Sequence, residues 1–344
     1  MSSFPLANIP GYKSETIDFK TTRDGSIKLD VFYPEGVKGS SAVVVLHYHG
    51  GFLLVGDRYA FFPYWLVNAC ISRGWVFVIP DYRLMPESTA QSSLEDATDA
   101  YAWVLSTLPS KLDCKLDSVL MAGSSAGAYL ALATAAAVQE QPAALLLIYG
   151  MLDATAPRYL TPGSNVFGRP TVETAPTLAQ FPAARGGDDR KAISAYPLPE
   201  DPASDARFGL IAALHIEALF PDYMTGIDGL SRSISAEGVE SIPHKHRNLF
   251  PVAFGDLGKL PRVMLIHGKP DSAVPVEQST RAAEKLRNSG VDVLMELPGD
   301  AEHGFDARAG NVDIEGASAE SVVTAVRSLR NALGFFDSVV QSRD

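Results

Sequence analysis

The chain holds only two cysteines in 344 residues, Cys70 and Cys114, too few for a disulfide framework. Cys70 lies in an apolar helical stretch, where packing rather than chemistry is expected of it. Long apolar runs are also missing. No stretch approaches the ~20 continuous apolar residues that cross a bilayer, and Met1-Ser2-Ser3-Phe4-Pro5 lacks the basic-then-apolar order of a secretory leader. The tail Gln341-Ser342-Arg343-Asp344 carries no retention or peroxisomal signal. A cytoplasmic location without membrane contact is therefore expected. Basic residues are the minority, 29 Lys and Arg against 40 Asp and Glu for a net charge of −11, which speaks against nucleic acid and anionic lipid as partners. Only His244-Lys245-His246-Arg247 is locally basic, and it reads as a solvated loop. Neither a phosphate-binding glycine loop nor a dinucleotide fingerprint occurs. The pairs in His47-Tyr48-His49 and His244-Lys245-His246 lack the further His, Cys or carboxylate that a zinc site needs, so no metal and no cofactor is expected.

What is present is an alternation of apolar strands and helical segments. Strands are expected at Glu15 to Lys20, Ile27 to Tyr33, Ala42 to Tyr48, Trp75 to Pro80, Ser118 to Ala122, Ala143 to Tyr149, Arg262 to His267 and Val291 to Leu297. Helices are expected at Tyr59 to Ser72, Ser93 to Leu108, Ala126 to Val138, Val276 to Ser289 and Ala317 to Phe336. That order predicts an α/β fold, a mostly parallel eight-stranded sheet with helices on both faces and right-handed crossovers. No internal repeat is visible. The alternation breaks between Tyr149 and Arg262, dividing the chain into a first core part at 1–150, an insertion at 151–261 and a second core part at 262–344. An insertion of that length without a role is uncommon in a compact domain.

Gly123-Ser124-Ser125-Ala126-Gly127 stands between an apolar strand and an Ala-rich helix. Glycines two residues either side of Ser125 suit a turn too tight for side chains, one that lifts the serine hydroxyl out at the carboxyl edge of a sheet. The helix behind it aims its amino end at any oxyanion formed there. Upstream, Ala42 to Leu46 leads into His47-Tyr48-His49-Gly50-Gly51-Phe52. A Gly-Gly pair after a buried strand is either a plain turn or a source of uncovered N–H groups. Paired with the serine, it reads as the latter, with Gly50, Gly51 and Ala126 as oxyanion donors. A serine needs a base and an acid. His303 follows the last strand in Pro298-Gly299-Asp300-Ala301-Glu302-His303-Gly304-Phe305, and Asp271 follows the strand before it in His267-Gly268-Lys269-Pro270-Asp271. Asp300, Glu302 and Asp306 compete with Asp271 for the role of acid, because they lie near His303 in sequence.

Together, His49-Gly50-Gly51, Asp81-Tyr82-Arg83-Leu84-Met85-Pro86-Glu87, the serine elbow and His303-Gly304-Phe305 resemble the α/β-hydrolases, in particular the hormone-sensitive-lipase-like carboxylesterases. The resemblance implies Ser125, Asp271 and His303 as catalytic triad and the insertion as a cap over the carboxyl edge. It also implies the Asp81 to Glu87 segment as a brace behind the oxyanion loop. Asp81 and Arg83 are close enough to suggest a local ion pair. The chain departs from that group in carrying Phe52 where a third glycine is usual and Ser124 where an acidic residue is usual, and it has no room for an amino-terminal cap. Phe52, Ser124, His215 and Tyr223 are the candidate substrate-binding residues. The expected activity is cleavage of a small or medium carboxylic ester through an acyl-enzyme. Lactone or thioester chemistry, a non-hydrolytic cyclisation, lyase or acyl-transfer step, and a non-catalytic small-molecule receptor are the alternatives.

Overall fold

A computed structural model of the chain describes residues 9–166, 172–185 and 190–342. Eight strands form one sheet: β1 (Tyr12–Thr22), β2 (Gly25–Pro34), β3 (Ser41–Tyr48), β4 (Val76–Pro80), β5 (Lys115–Ser124), β6 (Ala144–Ile148), β7 (Arg262–Ile266) and β8 (Val293–Glu296). Their spatial order is β1-β2-β4-β3-β5-β6-β7-β8. The β1–β2 and β2–β4 pairs are antiparallel and every later pair is parallel. The central strands read as unbroken apolar runs because both faces are covered. Val44 and Leu46 of β3 belong to one buried layer, and Val45 of the same strand belongs to the layer on the other face.

The helices are α1 (Tyr64–Arg73), α2 (Ala90–Ser106), α3 (Leu108–Leu112), α4 (Ala126–Ala137), α5 (Pro157–Leu160), α6 (Thr174–Gln180), α7 (Ala206–Ile216), α8 (Phe220–Thr225), α9 (Leu230–Glu237), α10 (Pro251–Phe254), α11 (Glu277–Asn288), α12 (Phe305–Arg308) and α13 (Val326–Gln341). The layer containing Val45 holds Trp65 and Leu66 of α1 and Leu329 and Phe336 of α13. The opposite layer holds Leu94 of α2, Leu130 of α4 and Leu286 of α11, and it continues into the insertion through Leu210, Leu214 and Phe220. The insertion therefore shares a core with the sheet. None of the described helices is long and apolar enough to cross a membrane.

All eight expected strands are present, while three helices differ from expectation. The helix expected from Tyr59 starts only at Tyr64, because Pro63 precedes it and restricts Phe62 to non-helical backbone. The helix expected at Ser93 to Leu108 begins at Ala90 and ends at Ser106, and a separate short helix with Pro109 in its first turn follows. The segment expected as one helix from Ala317 is a 3-10 turn at Ala317–Ser321 and then α13, with Ala325 in the left-handed region between them. The β-branched run Val322-Val323-Thr324 disfavours continuing the first turn.

Candidate active site

Strand β5 ends at Ser124 and α4 begins at Ala126, leaving Ser125 alone at the corner with φ 56° and ψ −118°. A non-glycine residue in this region is strained. The strain is held by neighbours: the Ser125 N–H donates to the Ile148 carbonyl at 2.9 Å, and its own carbonyl accepts from Ala128 at 3.1 Å. A side chain at Gly123 would stand 2.2 Å from the Gly127 carbonyl oxygen, and one at Gly127 would stand 2.0 Å from that of Tyr48. Both glycines are thus required by backbone contact, which is why the pentapeptide marked the site in sequence.

Beside the serine, Gly51 (φ 118°) and Phe52 (φ 55°) turn the chain sharply after β3. A side chain at Gly51 would meet the Val55 carbonyl oxygen at 2.0 Å. The amides of Gly50, Gly51 and Ala126 have no hydrogen-bond partner among the described residues. Gly50 lies so near Ser125 that a Cβ on it would be 3.1 Å from that of the serine. The turn is braced from behind. His49 donates from Nδ1 to the Gly50 carbonyl at 2.7 Å, its ring stacks on Tyr82 at 4.2 Å, and the Tyr82 hydroxyl donates to the His49 carbonyl at 2.8 Å. Burial pushes the His49 imidazole down to about 4 and that of His47 to about 3, so both are neutral at pH 7. His47 Nε2 lies 3.2 Å from Ser124 Oγ.

The Asp81 to Glu87 segment does brace this region, but Asp81 and Arg83 do not pair with each other. Asp81 is bound to Arg58 at 2.5 Å and Arg83 to Asp96 of α2 at 2.8 Å. Glu87 pairs with Arg207, whose guanidinium also donates to the carbonyls of Leu54 at 2.7 Å and Met85 at 2.9 Å. Arg207 is buried on α7, so it ties the insertion directly to the glycine turn.

The three residues from separate strand ends meet in a line. Ser125 Oγ lies 3.1 Å from His303 Nε2, and His303 Nδ1 lies 2.8 Å from Asp271 Oδ2. The other carboxylate oxygen, Oδ1, accepts the N–H groups of Ala273 at 2.9 Å and Val274 at 2.8 Å. Burial resists ionising Asp271, but hydrogen bonds from His267 and His303 and the Val274 N–H outweigh it and hold the carboxyl well below the usual carboxylate range. The carboxylate in turn fixes the His303 proton on Nδ1 and leaves Nε2 free to accept from the serine. Of the competing acids, Glu302 bonds the backbone N–H of His303 and Ser272 rather than the ring. Asp306 is bound by the Tyr149 hydroxyl and by Trp65 Nε1 at 3.1 Å. Tyr149, with φ 37°, lies against the His303 ring at 4.6 Å between centroids.

Above this line opens a cavity of about 360 Å³ that includes Ser125, His303, Gly50 and Gly51 in its wall. Phe52 and Ser124 line it as expected, together with Tyr59 and Phe61 from the loop before α1, Tyr64 at the start of α1, and Phe208 and Ile211 from the insertion. His215 and Tyr223 do not. His215 is fully buried behind Phe52, 5.2 Å from it edge to face, and bonds the Ile211 carbonyl from Nδ1 at 2.8 Å. Tyr223 bonds the Phe181 carbonyl and lines a separate depression between α8 and α9. The sequence shows an apolar-periodic segment through Phe208, Ile211, Leu214, Ile216 and Leu219 but not which side of the insertion meets the sheet. Sequence reasoning also missed Tyr149, Arg207 and His267. The first two carry no motif, and His267 stands in the Asp271 loop segment without a spacing that marks it as functional.

With this geometry stand three kinds of likeness to known proteins: family profiles, solved structures and sequences. Residues 45–216, half of the chain, match the family profile described as the alpha/beta hydrolase fold, and residues 220–319 match the prolyl oligopeptidase family. Among solved structures, an esterase of Pyrobaculum calidifontis superposes with a TM-score of 0.59 at 22% identity over 97% of this chain and 86% of that one. Carboxyl esterase 2 of the fungus Tuber melanosporum superposes at 0.62 with 16% identity over 99% and 89%. Among characterised sequences, the non-reducing polyketide synthase prhL of Penicillium brasilianum is 29% identical over 85% of this chain, and ausA of Aspergillus calidoustus is 26% identical over 85%. The chain spans only 13% of the length of either synthase. The matched profile, the eight-stranded sheet and the elbow at the end of β5 agree, and the chain belongs to the α/β-hydrolase fold family.

Proposed function

We propose that this protein is a serine hydrolase that cleaves a small or medium carboxylic ester through an acyl-enzyme. The observation that carries the reading is the hydrogen-bonded line Ser125–His303–Asp271, at 3.1 and 2.8 Å, beside three unengaged amides. His303 takes the Ser125 proton on Nε2 as Oγ attacks the carbonyl carbon. Asp271 orients the imidazole and stabilises it once charged, and the amides of Gly50, Gly51 and Ala126 bind the oxyanion. Collapse of the tetrahedral intermediate breaks the bond to the alcohol, which leaves with the proton from His303. Water then repeats the sequence on the acyl-enzyme. The insertion acts as a cap, with Phe208 and Ile211 of α7 closing the cavity over the glycine turn.

The similarity to segments of polyketide synthases favours a second reading, in which the acyl group arrives as a thioester and the same residues release it to water or to another nucleophile. The chemistry at Ser125 is shared, so the two readings differ in leaving group. Incubating wild type and Ser125→Ala with matched oxygen esters, thioesters and lactones tests both. Release of alcohol from esters by wild type alone supports the first reading, and a kcat/KM preference for thioesters supports the second. No turnover of any class by wild type removes the hydrolase reading.

A further inference from the structure

A second histidine, His267, lies on the far side of the acid. It is fully buried at the end of β7. Its Nε2 is 2.8 Å from the Val274 carbonyl and 3.3 Å from Asp271 Oδ2, and its Nδ1 is 2.7 Å from Ser279 Oγ on α11. A carbonyl and a carboxylate are acceptors only, so Nε2 must carry a proton. In the neutral ring Nδ1 then accepts, and the Ser279 hydroxyl is the donor that fixes this tautomer. The same Val274 whose carbonyl His267 holds gives its N–H to Asp271 Oδ1. The loop has little freedom to find another arrangement, because a side chain at Gly268 would stand 1.7 Å from the Ala301 carbonyl oxygen.

We propose, resting on the hydrolase reading above, that His267 is a positioning residue for the acid: locked by Ser279, it directs its Nε2–H into the Asp271 loop, so that Oδ2 lies between two imidazoles and its basicity toward His303 is tempered. The other charged or titratable groups around this pair are Glu302 at the His303 backbone, Tyr149 over its ring with Asp306 behind, and Arg158 and Tyr159 close enough to sense the Asp271 charge. Substitutions at His267 and Ser279 leave all of them in place. Removing the His267 donor makes the carboxylate a stronger base, which favours imidazolium on His303 and raises the pH at which the serine becomes reactive.

The test reads the rate constant for phosphonylation of Ser125 by a fluorophosphonate against pH, which requires no knowledge of the natural substrate. His267→Leu removes the donor. His267→Gln keeps an N–H donor, and Ser279→Ala frees the tautomer without altering the imidazole. The acid limb is expected to move up by roughly half to one pH unit in His267→Leu, the size of a lost hydrogen bond to a partly shielded charge. It should move less in Ser279→Ala and stay close to wild type in His267→Gln. An unmoved limb in Ser279→Ala together with equal profiles for the Leu and Gln variants overturns the inference, and if His267→Leu does not fold, the other two variants decide alone. Wild type that takes no label at any pH overturns the hydrolase reading instead.

Discussion

Replacing Asp271 by Asn changes one atom and should disable the serine. Oδ1 is held by the N–H groups of Ala273 and Val274 at 2.9 and 2.8 Å, so the amide oxygen of Asn must occupy that position. The amide NH2 then replaces Oδ2 and faces His303 Nδ1 at 2.8 Å. Two donors cannot face each other, and the imidazole relieves the conflict by moving its proton to Nε2. There it points at Ser125 Oγ, 3.1 Å away, and can no longer accept the serine proton. The expected loss in kcat is on the order of 10⁴, as where the acid of a serine triad is neutralised elsewhere, or about 5 kcal/mol in the barrier. The assay is hydrolysis of a short-chain nitrophenyl ester, with thermal unfolding to establish that the variant is folded. Glu302→Gln is the control, expected to lose less than about tenfold because that carboxylate touches only the backbone N–H of His303 and the N–H and hydroxyl of Ser272. A folded Asp271→Asn within tenfold of wild type, alongside an inactive Glu302→Gln, would refute the assignment of the acid.

Stability should fall steeply with acid. His47, His49 and His215 are buried, and burial lowers them to about 3, 4 and 3, so each protonates more readily in the unfolded chain. A depressed histidine contributes stability that is intact above its unfolded value near 6.5 and is lost as pH falls toward the folded value. Each adds a slope of about 1.4 kcal/mol per pH unit in that window, while Asp81, which burial raises to about 7, adds one of opposite sign, so the net slope is about 3 or less; urea midpoints that stay flat from pH 7 to pH 5 would contradict this. Phe52→Gly should relax a strained φ of 55° and open the cavity wall, raising the long-chain over short-chain ratio of kcat/KM by about tenfold or more. An unchanged ratio in a stable variant would place acyl selection elsewhere. Arg207→Met should cost about 3–5 kcal/mol by stranding Glu87 and two carbonyls around the glycine turn. Denaturant unfolding within 1 kcal/mol of wild type would show that the insertion is not held through this residue.

The site was legible in sequence where backbone geometry dictates residue type. Gly123 and Gly127 are imposed by contacts of about 2 Å, and that necessity appears as a motif. His303 and Asp271 stand out as candidates because each follows an apolar strand of the parallel sheet, whose carboxyl edge gathers loops distant in sequence. The strands themselves were legible because a strand buried on both faces is a continuous apolar run. The walls of the cavity were not. Tyr59 and Phe61 read as the start of a helix, yet Pro63 leaves them in a loop whose rings, with that of Tyr64 in the first turn of α1, line the cavity. His215 was equally ambiguous: a histidine on an apolar helix face is compatible with pocket or core, and only the packing of Phe52 against it decides for the core. Tertiary ties such as Arg207 to Glu87, 120 residues apart, leave no local signature.

The central claim, that Ser125 is the nucleophile, is tested most directly by intact-mass analysis after treatment with a fluorophosphonate, followed by peptide mapping. One adduct per chain is expected, located on Ser125, absent in Ser125→Ala and formed far more slowly in His303→Ala. An adduct that persists in Ser125→Ala, or wild type that remains unmodified while hydrolysing esters, would contradict the account.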